Sequence, residues 1–359
     1  MLTDPLSTLK RYIDQPSGSF DKEDVAQMAE MIREDFESLG FACEQFPGHV
    51  HGPRLRASIG EGDRQLMLMG HMDTVFPRDM YVPFRDLGNG KAMGSGVIDM
   101  KGGIVILLYA LKTVLPQLDL KRCRLCAVIN PDEEVGSPES RDLILETARA
   151  SFAALSFEPS AATGRLTCAR KGVTSVRVTC TGKAGHAGSE YLSSASAIQG
   201  LCAQITKLYT LRDDTRAISF NAGKISGGTA ENVVAPTAAC DCEFRYFDEA
   251  LKPALAEKIQ AICTDEPVEG VTTTLTFGAS HPAIDLSEKS YRLLGMAMDI
   301  TAEQGRHFIH ARTGEAGDIS IAGLAGIGVL DGLGMLGTGM HTAEETADIA
   351  SMPLQIDLA

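Results

Sequence analysis

Five short segments of this 359-residue chain carry side chains that could do chemistry together. "LMLMGHMDT" ends in His71 and Asp73, "AVINPDEE" in Glu133 and Glu134, and "ALSFEP" in Glu158, each just past an apolar, strand-like run. "GSGVIDMKGG" places Asp99 in a glycine-rich loop ahead of an apolar helix, and "GMLGTGMHTAEE" supplies His341 from a second such loop. In open α/β sheets, ligands bind beyond the carboxyl ends of the strands. Singly, each residue has an ordinary reading: a lone His after a strand is usually a surface or satisfied core residue, and a lone Asp in a Gly-rich loop is usually a turn former. Paired glutamates usually lie on a solvated face. Jointly, two histidines and several carboxylates at equivalent sheet positions are the donors that Zn²⁺ or a similar divalent metal selects.

One catalytic zinc needs three protein ligands and an open position. His71, His341, Asp99, Glu158 and one of the adjacent glutamates exceed that number, and they serve two metals if Asp99 bridges. Each metal then takes one His, one terminal carboxylate and a share of Asp99. Two metals about 3.5–4 Å apart can acidify a water and stabilise a developing oxyanion. Asp73, two residues past His71, is placed to accept the other N–H of that imidazole. Neighbouring residues in extended chain point opposite ways, so one glutamate ligates and the other is free to act as general base. Spacing alone does not say which.

The elements that must position these residues are legible as periodicity. Residues 20–40 read as an amphipathic helix, with Val25, Met28, Ala29, Ile32, Phe36 and Leu39 on one face, Ser19 as its cap and Gly40 as its stop. "RLRASIG", "RQLMLMG", "RCRLCAVIN" and "FAALSFEPS" read as strands; "GGIVILLYALKTVL" and "SRDLILETAR" read as helices. Apolar strands alternating with helices imply an α/β sheet covered by helices on both faces. From Lys171 the style changes, because "GVTSVRVTCTG" alternates strictly, as a strand with one wet face does. The order from there is βαββαβ, the ferredoxin-like arrangement. After Pro282 the first style resumes. The expected organisation is therefore one α/β domain, 1–170 and 283–359, interrupted by an inserted domain, 171–282. The final "SMPLQIDLA" reads as a helix cut short, so the natural chain is expected to run slightly further.

Composition removes other classes. A formal charge of −14 argues against nucleic acid, which must be met with clustered Lys and Arg. The longest apolar run, "IVILLYAL", is too short to span a bilayer, and the N-terminus lacks a signal-peptide pattern. Nine scattered cysteines, of which only Cys123 and Cys126 come near a metal-ligand spacing and those two lie in a strand-like run leading into the core, read as free thiols, so a cytoplasmic location is expected.

With these residues assembled, the chain resembles the dinuclear zinc family of glutamate carboxypeptidases, acetylornithine and succinyl-diaminopimelate deacylases, and aminoacylases. The resemblance is carried, in order, by "GHMDTVFP", "GSGVIDMKGG", "NPDEEVGS", "SFEPS", "TGKAGHAG", "ISGGTAENVVAP", "EFRYF" and "GLGMLGTGMHTAEE", and it is nearest to the bacterial carboxypeptidase G type. It implies a mixed sheet of the zinc-exopeptidase type. It also implies two divalent ions per chain, Zn²⁺ first and Co²⁺ or Mn²⁺ as alternatives. His71 and Glu158 would ligate one metal, Glu134 and His341 the other, with Asp99 bridging, Asp73 behind His71 and Glu133 as general base. A cis peptide at Asp99–Met100 is implied too. The inserted domain would mediate a homodimer, His186 reaching across to polarise the scissile carbonyl, while Asn232 and Arg245 bind the substrate.

Two departures touch the substrate pocket. The loop written TGGGSD in relatives is "RTGEAGD" here, which introduces Glu315, and His281-Pro282 stands where the carboxypeptidase G type has an arginine before a proline. Both weaken glutamate as the specific leaving group, and Arg312 becomes a second candidate for a substrate anion. The expected activity is hydrolysis of an amide next to a free carboxylate, on a small N-acyl amino acid or peptide. An aminopeptidase or dipeptidase is the alternative, with Glu315 as the only obvious amine partner. A non-catalytic binding protein on the same fold is the alternative of another class, disfavoured because no ligand or base is missing.

Overall fold

The computed structural model of the chain describes residues 2–265 and 268–359. Helices α1 (Pro5–Ile13) and α2 (Lys22–Ser38) precede strands β1 (Ala42–Phe46), β2 (Arg54–Ile59) and β3 (Arg64–His71). Two short strands, β4 (Arg85–Gly88) and β5 (Lys91–Met93), lead into α3 (Lys101–Val114). There follow β6 (Cys123–Asn130), α4 (Arg141–Arg149), β7 (Ser151–Ser156) and β8 (Arg165–Arg170). The next run is β9 (Gly172–Thr181), α5 (Ala197–Tyr209), β10 (Ser219–Gly227), β11 (Thr237–Tyr246), α6 (Leu251–Thr264) and β12 (Thr272–His281). The chain ends with α7 (Glu288–Glu303), β13 (Ile309–Thr313), α8 (Ile319–Gly323), β14 (Gly328–Leu330), β15 (Gly337–Thr338), β16 (Thr346–Asp348) and α9 (Met352–Leu358). Two compact units result: residues up to 169 with 286–313 and 317–359, and residues 170–285 with 314–316.

The first unit is built on a sheet of order β1-β2-β6-β3-β7-β14. Its β6, β3, β7 and β14 run parallel, while β1 and β2 are antiparallel additions, so the sheet is mixed. The parallel strands read as continuous apolar runs because helices cover them. The last six residues of β6 are all buried, and α3 is buried from Lys101 to Leu111. Helix α3 packs on β3, α1 and α9, whereas α4 and α8 pack on β7. A smaller sheet, β15-β16-β5-β4, carries the Asp99 and His341 loops at its ends.

Three local expectations change. Helix α1 went unread because nine residues hold too few turns to show a period; Pro5 starts it and the Asp4 carboxylate caps the Ser7 N–H at 2.9 Å. Helix α2 starts at Lys22 rather than residue 20, and Ser19 is not its cap: the Ser19 hydroxyl donates to Asp73 Oδ2 at 2.8 Å. Gly40, at φ +89°, ends that helix as glycine's freedom there allows.

The second unit is a four-stranded antiparallel sheet of order β10-β11-β9-β12. Strand β9 sends Val176, Val178 and Cys180 into a core shared with α5 and α6, and turns Ser175, Arg177 and Thr179 outward. All nine cysteines of the chain are free.

Candidate metal centre

His71 is the last residue of β3 and is buried. Its Nε2 lies 3.2 Å from Asp99 Oδ1 and 3.8 Å from Glu158 Oε1. His341, more than half exposed and held at φ +62°, brings its Nε2 to 3.2 Å from Asp99 Oδ2 and 3.2 Å from Glu134 Oε2. The two oxygens of Asp99 thus face different histidines. Two donor sets follow, His71/Asp99/Glu158 and Asp99/Glu134/His341, each with donor atoms within 4.8 Å of one another. A tetrahedral ion with bonds of about 2.0–2.1 Å places its donors about 3.3 Å apart, so both sets have the chemistry and spacing of a divalent-metal site. The Asp99–Met100 peptide is cis.

The adjacent glutamates are not in extended chain. Glu133–Val135 is a single tight helical turn, so the two side chains diverge because successive residues of such a turn are rotated, not because a strand alternates. Glu134 turns to His341, and Glu133 belongs to neither of the two donor sets. Asp132 holds the turn from beyond, accepting the Glu139 N–H at 2.7 Å and the Ser140 hydroxyl. Asp73 holds it from below, accepting the N–H of Glu133 at 3.2 Å and of Glu134 at 3.3 Å. His71 Nδ1 meets the Asp73 backbone carbonyl at 3.0 Å, with Asp73 Oδ1 at 3.3 Å. Asp73 therefore supports the His71 imidazole and the glutamate turn together.

Charge follows geometry. Burial by itself would depress His71, yet Glu158, Asp73 and Asp99 together raise its pKa well above the ordinary value. His341 is raised to about 10 by its hydrogen bonds to Asp99 and Glu134. Burial raises Glu133 well above the usual carboxylate range, with Glu158, Asp318 and Glu134 adding to it, and burial also raises Glu134. So many acids around two imidazoles form a strongly anionic cradle that cations would neutralise.

Two residues of this centre went unread. Lys101, from "MKGG", is fully buried and donates to the carbonyls of Tyr12 at 3.2 Å and Gln15 at 2.5 Å and to the Tyr81 hydroxyl at 2.8 Å. Burial lowers its pKa to about 7, while three acceptors match the three donors of an ammonium. Glu345, from "HTAEE", is also buried and accepts backbone N–H groups of the Asp99 loop. Neither carries a periodic signal; a lysine two residues past Asp99 and an acid four residues past His341 were the only hints.

The remaining expected site residues lie mostly in the second unit. His186 Nδ1 accepts the N–H groups of Gly188 at 3.1 Å and Ser189 at 3.3 Å, which leaves the proton on Nε2 of an exposed ring. Asn232 is exposed beside it, its carbonyl accepting the Ala187 N–H at 3.0 Å. Arg245 is already engaged: Glu243 receives Nε at 2.8 Å and Nη2 at 3.1 Å, and the Gly314 carbonyl receives Nη1 at 2.8 Å. Glu315 stands 4.0 Å from Arg170 Nη1. Arg312 lies on β13 in the first unit, and His281 ends β12 opposite Val173.

No described helix is long and apolar enough to cross a membrane. A family profile, Peptidase family M20/M25/M40, matches residues 67–359. Carboxypeptidase G2 of Pseudomonas sp. strain RS-16 is 31% identical over 367 residues, covering 99% of this chain and 87% of that one. Acetylornithine deacetylase of Pasteurella multocida is 31% identical over 243 residues, covering 62% of this chain and 60% of that one. Among solved structures, an M20 family metallo-carboxypeptidase from Sulfolobus solfataricus shares the fold with a TM-score of 0.82 at 16% identity, over 99% of this chain and 97% of that one. This chain belongs to the M20/M25/M40 peptidase family and is a hydrolase of that family.

Proposed function

We propose that His71, Asp99 and Glu158 hold one divalent metal, that Asp99, Glu134 and His341 hold a second, and that the site hydrolyses an amide next to a free carboxylate. The observation that carries the two-metal reading is Asp99, whose Oδ1 and Oδ2 each stand 3.2 Å from a different histidine. Zn²⁺ fits this nitrogen and oxygen donor set best, with Co²⁺ or Mn²⁺ compatible. When bound, such ions supply Lewis acidity that eases the ionisation of water and steadies charge on a carbonyl oxygen.

Glu133 is the proton carrier in this reading. Its carboxylate takes a proton from the attacking water and returns it to the amide nitrogen as the C–N bond breaks, leaving a carboxylate and a free amine. Burial raises its proton affinity, which suits a base that must hold the proton between those two steps. Asp73 keeps His71 and the Glu133–Glu134 turn in register. Arg245 would exchange Glu243 for the substrate carboxylate, which its planar fork can meet bidentately, with Arg312 as a second cation and Asn232 as a hydrogen-bonding partner. His186, with Nε2–H outward, would donate to the scissile carbonyl in the partner copy of a homodimer formed through the inserted domain. Exposed Tyr191, Leu192, Ile198 and Ile225 on the second unit support that interface. Free cysteines throughout suit a cytoplasmic setting.

Similarity along nearly the whole chain to carboxypeptidase G2 favours an N-acyl amino acid or short peptide released at its carboxyl end. An aminopeptidase needs a free acid for the substrate amine, and Glu315 lies beside Arg170 instead. The test is metal analysis of the purified protein with a screen of N-acyl amino acids, glutamate-terminated peptides and free-amine dipeptides. About two ions per chain and turnover of N-acylated substrates are expected; turnover confined to free-amine dipeptides would overturn the substrate class.

A further inference from the structure

Glu345 lies four residues past His341 and is 1% exposed. A buried carboxylate must be compensated by hydrogen bonds or charge, and this one is met by backbone. Its Oε2 accepts the Gly96 N–H at 2.8 Å, and its Oε1 accepts those of Ile98 at 2.8 Å and Asp99 at 3.0 Å. Its own main-chain carbonyl accepts the Gly94 N–H at 3.2 Å. Gly96 sits at φ +77°, a conformation that glycine adopts freely and that lets neighbouring N–H groups converge on one anion.

The loop that carries Glu345 also carries His341. It is closed by the Thr342 N–H on the Gly339 carbonyl at 3.1 Å and the Glu345 N–H on the Thr342 carbonyl at 3.2 Å. Immediately afterwards Thr346 pairs with Met93, the residue before Gly94. Glu345 is therefore the link between two ligand-bearing loops, one ending in Asp99 and one starting near His341. The donor sets depend on this link unequally. Asp99, Glu134 and His341 draw on both loops, whereas His71 and Glu158 come from the ends of β3 and β7 and share only Asp99.

We infer that Glu345 is a positioning residue for the second metal: by tying the Gly96–Asp99 backbone to the His341 loop, it sets where Asp99 Oδ2 stands relative to His341 Nε2. The inference rests on the two-metal reading above. Glu345→Gln keeps an Oε1 acceptor for Ile98 and Asp99 but turns an amide N–H toward Gly96, and Glu345→Ala removes both acceptor oxygens and with them all three hydrogen bonds. Asp35→Asn serves as the control, since Asp35 is a fully buried carboxylate of the same unit that binds Arg11 and, at 2.7 Å, the Tyr12 hydroxyl instead.

The experiment titrates metal-free protein with Zn²⁺ against a competing chromophoric chelator and follows thermal unfolding in parallel. In the wild type two binding steps are expected. In Glu345→Gln one of the two steps should survive while the other falls at least tenfold, and Asp35→Asn should keep both steps even with a lower Tm. The inference is overturned if Glu345→Gln binds both ions as the wild type does, if both steps weaken equally, or if Asp35→Asn reproduces the pattern. A wild-type protein that takes up fewer than two ions overturns the two-metal reading itself, which separates the two failures.

Discussion

Asp73 Oδ1 accepts the backbone N–H of Glu133 at 3.2 Å. The residue expected only to steady an imidazole is thus also the floor under the turn that carries Glu133, the proposed general base. Asp73→Asn puts an amide donor where one of two N–H groups must be accepted, so the Glu133 turn loses its register. Activity is expected to fall by about 10–100-fold, in the range seen for residues that orient metal ligands. Steady-state kinetics with measured metal content checks this, and undiminished kcat would show that the turn holds itself.

Glu133→Gln should separate chemistry from metal binding. Glu133 lies outside both close donor sets, so metal content should stay near that of the wild type. Loss of proton transfer should lower kcat by about 10²–10⁴-fold with KM little changed. Full activity with normal metal would remove Glu133 from the mechanism.

Chelation should destabilise the fold as well as silence it. Asp99, Glu134 and Glu158 converge beside two histidines, and the half-buried Glu133 stands close by, so removing a cation leaves like charges facing one another. A ligand at 1,000 times its Kd stabilises by about 4 kcal/mol per site. Scanning calorimetry with and without a chelator should show a Tm several degrees lower without metal, restored by Zn²⁺.

Lys101 makes stability depend on pH. Burial lowers its folded pKa from 10.5 to about 7, so between those values the unfolded chain holds the extra proton. Stability contributed at this position therefore rises as pH rises from about 7 toward 10.5. Other groups titrate in this range, so the quantity to measure is the difference between wild type and Lys101→Met at fixed metal concentration. Denaturant unfolding from pH 7 to 10 should show a shallower rise, or a steeper fall, in the variant. Parallel curves would place the Lys101 pKa elsewhere.

Two glycines on helices make opposite predictions. A Cβ on Gly103 of α3 would lie 1.9 Å from the Phe157 carbonyl oxygen, the residue before Glu158. Gly103→Ala must push α3 off the end of β7, costing about 1–3 kcal/mol and weakening metal binding through Glu158. A Cβ on Gly295 of α7 meets nothing within 4 Å, so Gly295→Ala should stabilise by about 0.5–1 kcal/mol. Urea midpoints with metal titration check both.

Much of this protein was determined by its sequence because the determinants are local or repetitive. Apolar periodicity named most of the major strands and helices, and the change to strict alternation after Lys171 marked the second unit's sheet. The candidate donors were legible as a set because each stands at a strand end or in a glycine loop, and the structure brings them within 4.8 Å of one another in two groups. Tertiary structure decided what depends on partners far away in the chain. Ser19 turned from an expected helix cap into a donor to Asp73, 54 residues on. Arg245 met Glu243 on the same strand face. Asp73 reached the N–H groups of a turn some sixty residues later. Glu345 was one acid of a pair in the sequence; only the approach of its loop to Gly96, Ile98 and Asp99 made it a clamp. A side chain that binds backbone leaves no pattern in residue types, because every residue but proline offers the same N–H.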